Sequence, residues 1–270
     1  MKTAVYAWFI IIMATSILLL PIFFIILTSF KEYGDIVSGI MFPTNYTLQN
    51  YENVLYAPGF RFIDFMFNSI VISTVSTFFN VLISFPAAYS MSRFKTGGDF
   101  FSSYIFSLRL LPPIIFVVPI FILYQHMQLL DTHIGLILIY TVFNLPLSIL
   151  VLRSFINDIP MELEEAALID GCSRTRLIFS IVLPLSLPGI LAVSILTFLA
   201  SWNEYLFALI LTLKKAATVN VAASLFVTAY AIRYGEIAAS VVMSMIPPLL
   251  FIFIVQRNLV RGLTLGALKR

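Results

Sequence analysis

Long apolar runs separated by short polar segments dominate the chain. Residues 4–30, 69–92, 110–124, 134–152 and 237–255 hold no charged side chain, and 185–213 hold one, Glu204. A helix needs about twenty residues to cross the hydrocarbon core, so nearly every run is long enough alone. The run at 110–124 becomes long enough when 101–108 are added, which brings Arg109 into the membrane. The pattern therefore predicts an all-α integral membrane protein with six transmembrane helices, over about 4–30, 69–92, 102–124, 134–152, 185–213 and 237–256. These use most of the 270 residues and predict a single transmembrane domain, 1–270. Barrel strands would alternate polar and apolar side chains, and these runs do not.

Between the runs, 31–68 form the longest extramembrane stretch. It is rich in Pro, Asn, Tyr and Gly, and one short helix is expected near 48–56. Prolines fall inside several runs: Pro112, Pro113 and Pro119 are expected to interrupt the third span, Pro146 the fourth, and Pro247 with Pro248 the sixth. Each frees backbone carbonyls that protein or water must satisfy, so such breaks tend to face a bundle interior or cavity.

Charge sets the orientation. With the N-terminus inside, the inner segments carry Lys2, Arg93, Lys95, Arg153, Arg174, Arg176, Arg257, Arg261, Lys269 and Arg270. The outer segments carry only Lys31, Arg61, Lys214, Lys215 and Arg233. Cationic residues concentrate on the cytoplasmic side, so both termini are expected inside. The net charge of +3 reads as topology and not as a nucleic-acid surface. A composition 60% hydrophobic and 11% charged excludes an ordinary soluble domain. The first run is longer than the apolar core of a signal peptide and ends without an A-x-A site, so it is expected to stay.

One inner segment, 154–184, is built differently. Asp158 is a candidate N-cap and Pro160 a first-turn residue. Glu162, Glu164 and Glu165 crowd the positive end of the helix dipole. Gly171 suits the left-handed closing position. Ser173 is expected to open a second short helix, which Pro184 ends. The small Ala166 and Ala167 let another surface approach the backbone. The whole reads as a part that docks into something else.

Candidate chemistry is otherwise sparse. Arg109 and Glu204 are the ionisable residues within membrane reach, and such residues default to functional hypotheses. At 1.5 Å per residue they sit about 13 Å and about 27 Å from the inner face, too far apart in depth to pair. Asn203 and Glu204 are candidates for a pathway or gate, and Arg109 for snorkelling or a phospholipid headgroup. Cys172 is the only cysteine, so no internal disulfide or thiol metal cluster is expected. His126 and His133 flank an outer turn and are expected to be solvated. No metal site is predicted, and no Walker A loop, H-E-x-x-H helix or nucleophile elbow occurs.

The spacing Glu165-Ala166-Ala167, Gly171, then Ile181-x-Leu183-Pro184 resembles the coupling motif of membrane subunits in binding-protein-dependent ATP-binding-cassette importers. Asp170 lies within it. Thr47-Leu48-Gln49-Asn50-Tyr51, Asn68-Ser69, Leu130-Asp131-Thr132, Gly135-Leu136, Trp202-Asn203-Glu204 and Gly262-Leu263-Thr264-Leu265-Gly266-Ala267 extend the resemblance to the smaller permease of carbohydrate importers, the maltose-transporter type. The resemblance implies the type I importer permease fold in a prokaryotic plasma membrane. It implies a second permease subunit, two ATP-binding subunits and an extracytoplasmic solute-binding protein as partners. ATP and magnesium would be held by those ATP-binding subunits, with no cofactor on this chain. It further implies that 158–171 dock into an ATPase cleft, that the outer loop with Lys214, Lys215, Thr218 and Asn220 meets the binding protein, and that Gly262, Leu263, Thr264 and Gly266 touch the ATPases. A sugar or related polyol is the implied substrate. An amino acid, peptide or glycerol phosphate, or an ion-gradient mechanism, stand as alternatives.

Overall fold

The protein is described here from a computed structural model, which covers residues 2–57, 59, 61–227 and 232–267. In chain order the helices are α1 (Lys2–Ser29), α2 (Tyr33–Val37), α3 (Gln49–Leu55), α4 (Phe62–Arg93), α5 (Gly98–Leu108), α6 (Ile114–His126) and α7 (His133–Asn157). Then follow α8 (Met161–Ile169), α9 (Arg174–Leu177), a π-helical turn (Ile178–Val182), α10 (Leu183–Leu185), α11 (Leu187–Trp202), α12 (Leu206–Leu211), α13 (Val219–Ser224) and α14 (Tyr234–Ala267). Among the described residues, four helical stretches are long and apolar enough to cross a membrane: Trp8–Ser29, Phe62–Arg93, His133–Asn157 and Tyr234–Gln256. A fifth, Arg174–Leu185 with Leu187–Trp202, is bent by 70° at Ser186.

The third expected span is not one helix. α5 and α6 are separated at 109–113, where Pro112 lacks an N–H and both prolines push the residue before them out of the helical region. Short i→i+3 bonds, Leu110 N–H to the Ser107 carbonyl and Phe116 N–H to the Pro113 carbonyl, flank the gap on either side. Pro119, Pro146, Pro247 and Pro248 behave otherwise than expected, since α6, α7 and α14 run through them as continuous helices. With no water to offer alternative partners, a helix in an apolar setting keeps its remaining backbone bonds across a proline.

The chain packs as two units, Met1–Met66 with Val219–Ile246, and Phe67–Thr218 with Pro247–Arg270. In the first, α3 is the expected short helix, and Asn50 ties it to the C-terminal end of α1. The Asn50 amide donates to the carbonyls of Ser29 and Lys31 at 3.0 and 2.9 Å. Gly235 is required beside it, because a Cβ there would lie 2.4 Å from Asn50 Oδ1. Tyr51 completes the clamp through its hydroxyl on Ser29 Oγ, 2.7 Å, and its ring on Phe30. Asp35, which is buried, accepts the N–H and hydroxyl of Thr44.

In the second unit α4, α7 and α11 meet along a buried polar seam. Asn80 donates to the Thr141 carbonyl at 3.1 Å and accepts from the Thr197 hydroxyl at 3.4 Å. Ser76 bonds Ser201, Asn144 reaches Ser201, and Ser148 meets Thr197. In an apolar solvent, hydrogen bonds and close packing replace the hydrophobic effect as the force between helices. Below the seam, Phe85, Ala88, Tyr89, Leu152, Ile156, Leu177, Val182 and Val193 form one apolar cluster. Gly189 brings α11 onto α7, since a Cβ there would sit 2.5 Å from the Phe155 ring. Gly189→Val should destabilise the purified protein by about 1–3 kcal/mol, as overpacking does. Thermal unfolding in detergent checks this, and Phe155→Ala in the same chain should recover part of the loss.

Candidate docking helix and outer clamp

The segment read as a docking part is a pair of short helices around Gly171. α8 begins at Met161, with Pro160 at the cap position and no side-chain cap bond. Asp158 is not that cap; it ends α7, because the chain has to turn at 158–160 before α8 can begin. Gly171 takes φ +81° and closes α8 as expected. Its N–H bonds the Leu168 carbonyl and that of Cys172 bonds the Ala167 carbonyl, the paired bonds of a Schellman closure. Cys172 and Ala167 both pack on the apolar cluster, so the thiol acts as a small filler. Ser173 opens α9, accepting from Arg176 N–H at 3.3 Å.

The helical period divides the motif between two tasks. Glu165, Ala166, Asp170 and Gly171 are exposed, beside Met161, Leu163, Leu168 and Ile169, of which Ile169 is 86% exposed. Ile181 and Leu183 instead pack on the cluster, and Pro184 is exposed. Pro184 does not end the second helix either. The chain winds through a π turn and α10, and bends at Ser186 before Pro188.

What holds α8 in place was not legible as such in the sequence. Glu164, grouped there with its neighbours as a dipole partner, is 5% exposed. Its carboxylate accepts from Arg93 Nε at 2.6 Å and from the Tyr89 hydroxyl at 2.9 Å. Arg93 also donates to the Ile159 carbonyl at 2.9 Å. The one available signal was spacing: Glu164 shares a helical face with Ala167, three residues on. Removing one member of a buried pair strands the other charge, at a cost of about 3–5 kcal/mol.

Glu204 has a defined local job. Its two carboxylate oxygens accept the N–H groups of Phe207 and Ala208 at 2.9 and 3.2 Å, starting α12 after the break at 203–205. The buried Tyr140 hydroxyl faces it. Asn203 caps the end of α11 and is exposed, whereas Trp202 is buried and stacked on Phe198 rather than standing at a surface. Arg109 forms no ion pair with this carboxylate among the described residues; it reaches the Phe143 carbonyl at 3.4 Å, at the edge of an apolar cavity of about 700 Å³ lined by Pro113, Phe116, Phe143 and Pro146.

The loop after α12 is held by a second carboxylate. Asp131, at φ +53°, accepts the backbone N–H groups of Leu213, Lys214, Lys215 and Ala216 at 2.9–3.2 Å. Asn68 donates to the carbonyls of Lys215 and Ala217, and His133 Nε2 bonds Asn68 Oδ1 at 2.7 Å. His133 is thus half-buried and engaged instead of solvated; His126 is exposed. Within this loop Lys214 and Lys215 are exposed, Thr218 is buried, and Asn220 is half-buried. Gly262, Leu263, Thr264 and Gly266 lie on α14 beyond the residues whose side chains are described. Among the described residues no group of three or more His, Cys, Asp or Glu side chains is placed to hold a metal.

An all-helical membrane chain with several apolar spans, broken helices and an exposed helical pair fastened outside them is the architecture of an importer permease. The family described as the binding-protein-dependent transport system inner membrane component matches residues 80–265, and the chain belongs to it. It is 35% identical over 261 residues to the trehalose/maltose transport system permease protein MalG of Thermococcus litoralis, covering 96% of this chain and 94% of that one. It is 36% identical over 264 residues to the sulfoquinovosyl glycerol transport system permease protein SmoH of Agrobacterium fabrum, covering 95% and 92%. The fold matches a chain in the crystal structure of a bacterial ABC transporter involved in import of the acidic polysaccharide alginate, with TM-score 0.77 at 20% identity, covering 95% of this chain and 96% of that one.

Burial raises the Asp131 pKa, but the four backbone donors lower it by more, and it ends below the ordinary carboxylate value. A depressed pKa gives stability that is present above the unfolded value and lost as pH falls through the folded one. Asp131→Asn should therefore cut amide protection at 213–216 about tenfold at neutral pH. The wild-type protein should keep that protection until the pH falls below about 4. Hydrogen exchange followed by mass spectrometry reads both.

Proposed function

We propose that the chain is half of the translocation pore of an ATP-driven importer for a sugar or related polyol, and that α8 is where the ATPase takes hold. The observation that carries this is the exposed face of α8. It presents Glu165, Ala166 and Asp170 among bare apolar side chains on a helix that its own bundle holds fixed from the opposite side. An apolar helical face with a few charges is the form in which a helix fills a groove on another protein. ATP hydrolysis then belongs to partner subunits, and the chain is not an enzyme. Two ATP-binding subunits, a second permease and an extracytoplasmic binding protein complete the assembly in this reading.

The substrate class rests on relatives named for trehalose/maltose and sulfoquinovosyl glycerol, which share hydroxyl-rich glycosides. The six-span, both-termini-inside arrangement in a prokaryotic plasma membrane rests on the lysine and arginine asymmetry, with α5 and α6 together as one span. Exposed Lys214 and Lys215, on a loop fixed by Asp131, are the residues we assign to the binding protein, and the end of α14 to the ATPases. A gradient-driven mechanism is less well supported, because Glu204, the carboxylate in its span, is engaged in starting α12.

Purification from native membranes in mild detergent tests the assembly. Recovery of a second permease, an ATPase and a binding protein is expected, and the sugar eluted from that binding protein names the substrate. A chain recovered alone that transports without ATP would sink the reading. Glu165→Lys and Gly171→Pro should leave membrane insertion intact. Loss of a hot-spot contact of about 2 kcal/mol corresponds to roughly thirtyfold weaker ATPase retention. Wild-type transport by either variant would remove α8 as the docking element.

A further inference from the structure

The covalent chain hands α8 to its sequence neighbours, α7 before it and α11 after it. The side chains hand it to α4. Arg93, in the last turn of α4, bonds Glu164 through Nε at 2.6 Å, and Tyr89, one turn earlier, bonds the other carboxylate oxygen at 2.9 Å. The two charged side chains are 9% and 7% exposed. On the far side of Gly171, the Arg174 guanidinium lies 5.2 Å from the Phe94 ring, which packs edge-on against Tyr89. Both arms of the α8–α9 pair are therefore fastened at the end of α4, to Tyr89 and Arg93 in its last two turns and to Phe94 immediately after it.

The geometry points to Arg93 and Glu164, with Tyr89, as positioning residues that make α8 and the end of α4 move as one body, so that α4 carries a displacement of α8 into the membrane. This rests on the docking reading above. An apolar contact would anchor α8 at least as firmly, since a buried ion pair recovers little beyond its desolvation cost. It would also slide at low cost. Directional, charge-assisted bonds hold one register and resist shear. Deeper in the bilayer, α4 carries Asn80 and Ser76, bonded to Thr141 of α7 and to Thr197 and Ser201 of α11. A shift of α4 therefore acts on both neighbours through the seam.

Distance measurement between spin labels in the assembled transporter, in lipid nanodiscs, tests this without a sugar. Labels at Glu162→Cys on α8 and Phe78→Cys on α4, with Cys172→Ala, are read before and after addition of MgATP and vanadate. In the otherwise unaltered chain the separation should stay within about 2 Å, the scale of small helix shifts. In Arg93→Met or Glu164→Gln it should move beyond that, and the double variant Arg93→Met/Glu164→Met should go no further than the singles, as for residues acting through one bond. A nucleotide-dependent separation in the unaltered chain, variants as invariant as that chain, or additive changes in the double variant would each overturn the inference. If the charge-removing variants fail to accumulate, Tyr89→Phe decides: it deletes one bond without stranding a charge, and an unchanged separation overturns the inference while a broadened one supports it. Loss of the ATPase subunits from the unaltered chain would be seen at purification and would sink the docking reading instead.

Discussion

Every backbone group inside a bilayer has to find its partner within the protein, and this single requirement explains where the polar side chains of the chain have gone. The spans are apolar and helical almost by necessity. Much of the irregular backbone is completed by side chains. Glu204 supplies acceptors for the first N–H groups of α12, Asp131 does so for four successive N–H groups after it, and Asn50 and Asn68 donate to carbonyls at the C-terminal end of α1 and in the 212–217 loop. Charge and amide groups that look like candidates for transport chemistry in the sequence are largely engaged in holding turns.

The same economy shapes α8 and its surroundings. α8 keeps two opposed surfaces on nine residues. The outward one is loosely packed, small and partly apolar, suited to covering by another protein. The inward one is fixed by a buried charge pair and by the small side chains of Ala167 and Cys172. Gly171 makes this possible, because its positive φ turns the chain sharply enough to return α9 to the same end of α4. A docking part has to be both accessible and stiff, and the division of the motif into exposed and packed residues meets both demands.

Several sequence expectations failed for one shared reason, which is that they assigned roles by local pattern. Asp158 has the chemistry of an N-cap but ends the preceding helix. The prolines of α6, α7 and α14 have the chemistry of breakers but sit in continuous helices, while the break in the third span falls at the Pro112–Pro113 pair. His133 borders a turn, where exposure is the usual state, yet bonds Asn68. For His133 the deciding partner lies 65 residues away, and local propensity carries no information about it.

By itself the sequence determined that the chain is helical and membrane-spanning, roughly where its apolar spans fall, and that 154–184 hold two short helices with a glycine closure between them. Those properties follow from run length, charge distribution and backbone preference, which are local quantities. Only the tertiary structure decided which of three neighbouring glutamates is the anchor and which faces outward, and that the buried charge pair holding α8 runs to α4, a helix that does not flank it in sequence. Glu164 and Glu165 are adjacent and chemically alike; a rotation of about 100° per residue along the helix puts one against Arg93 and the other into the open.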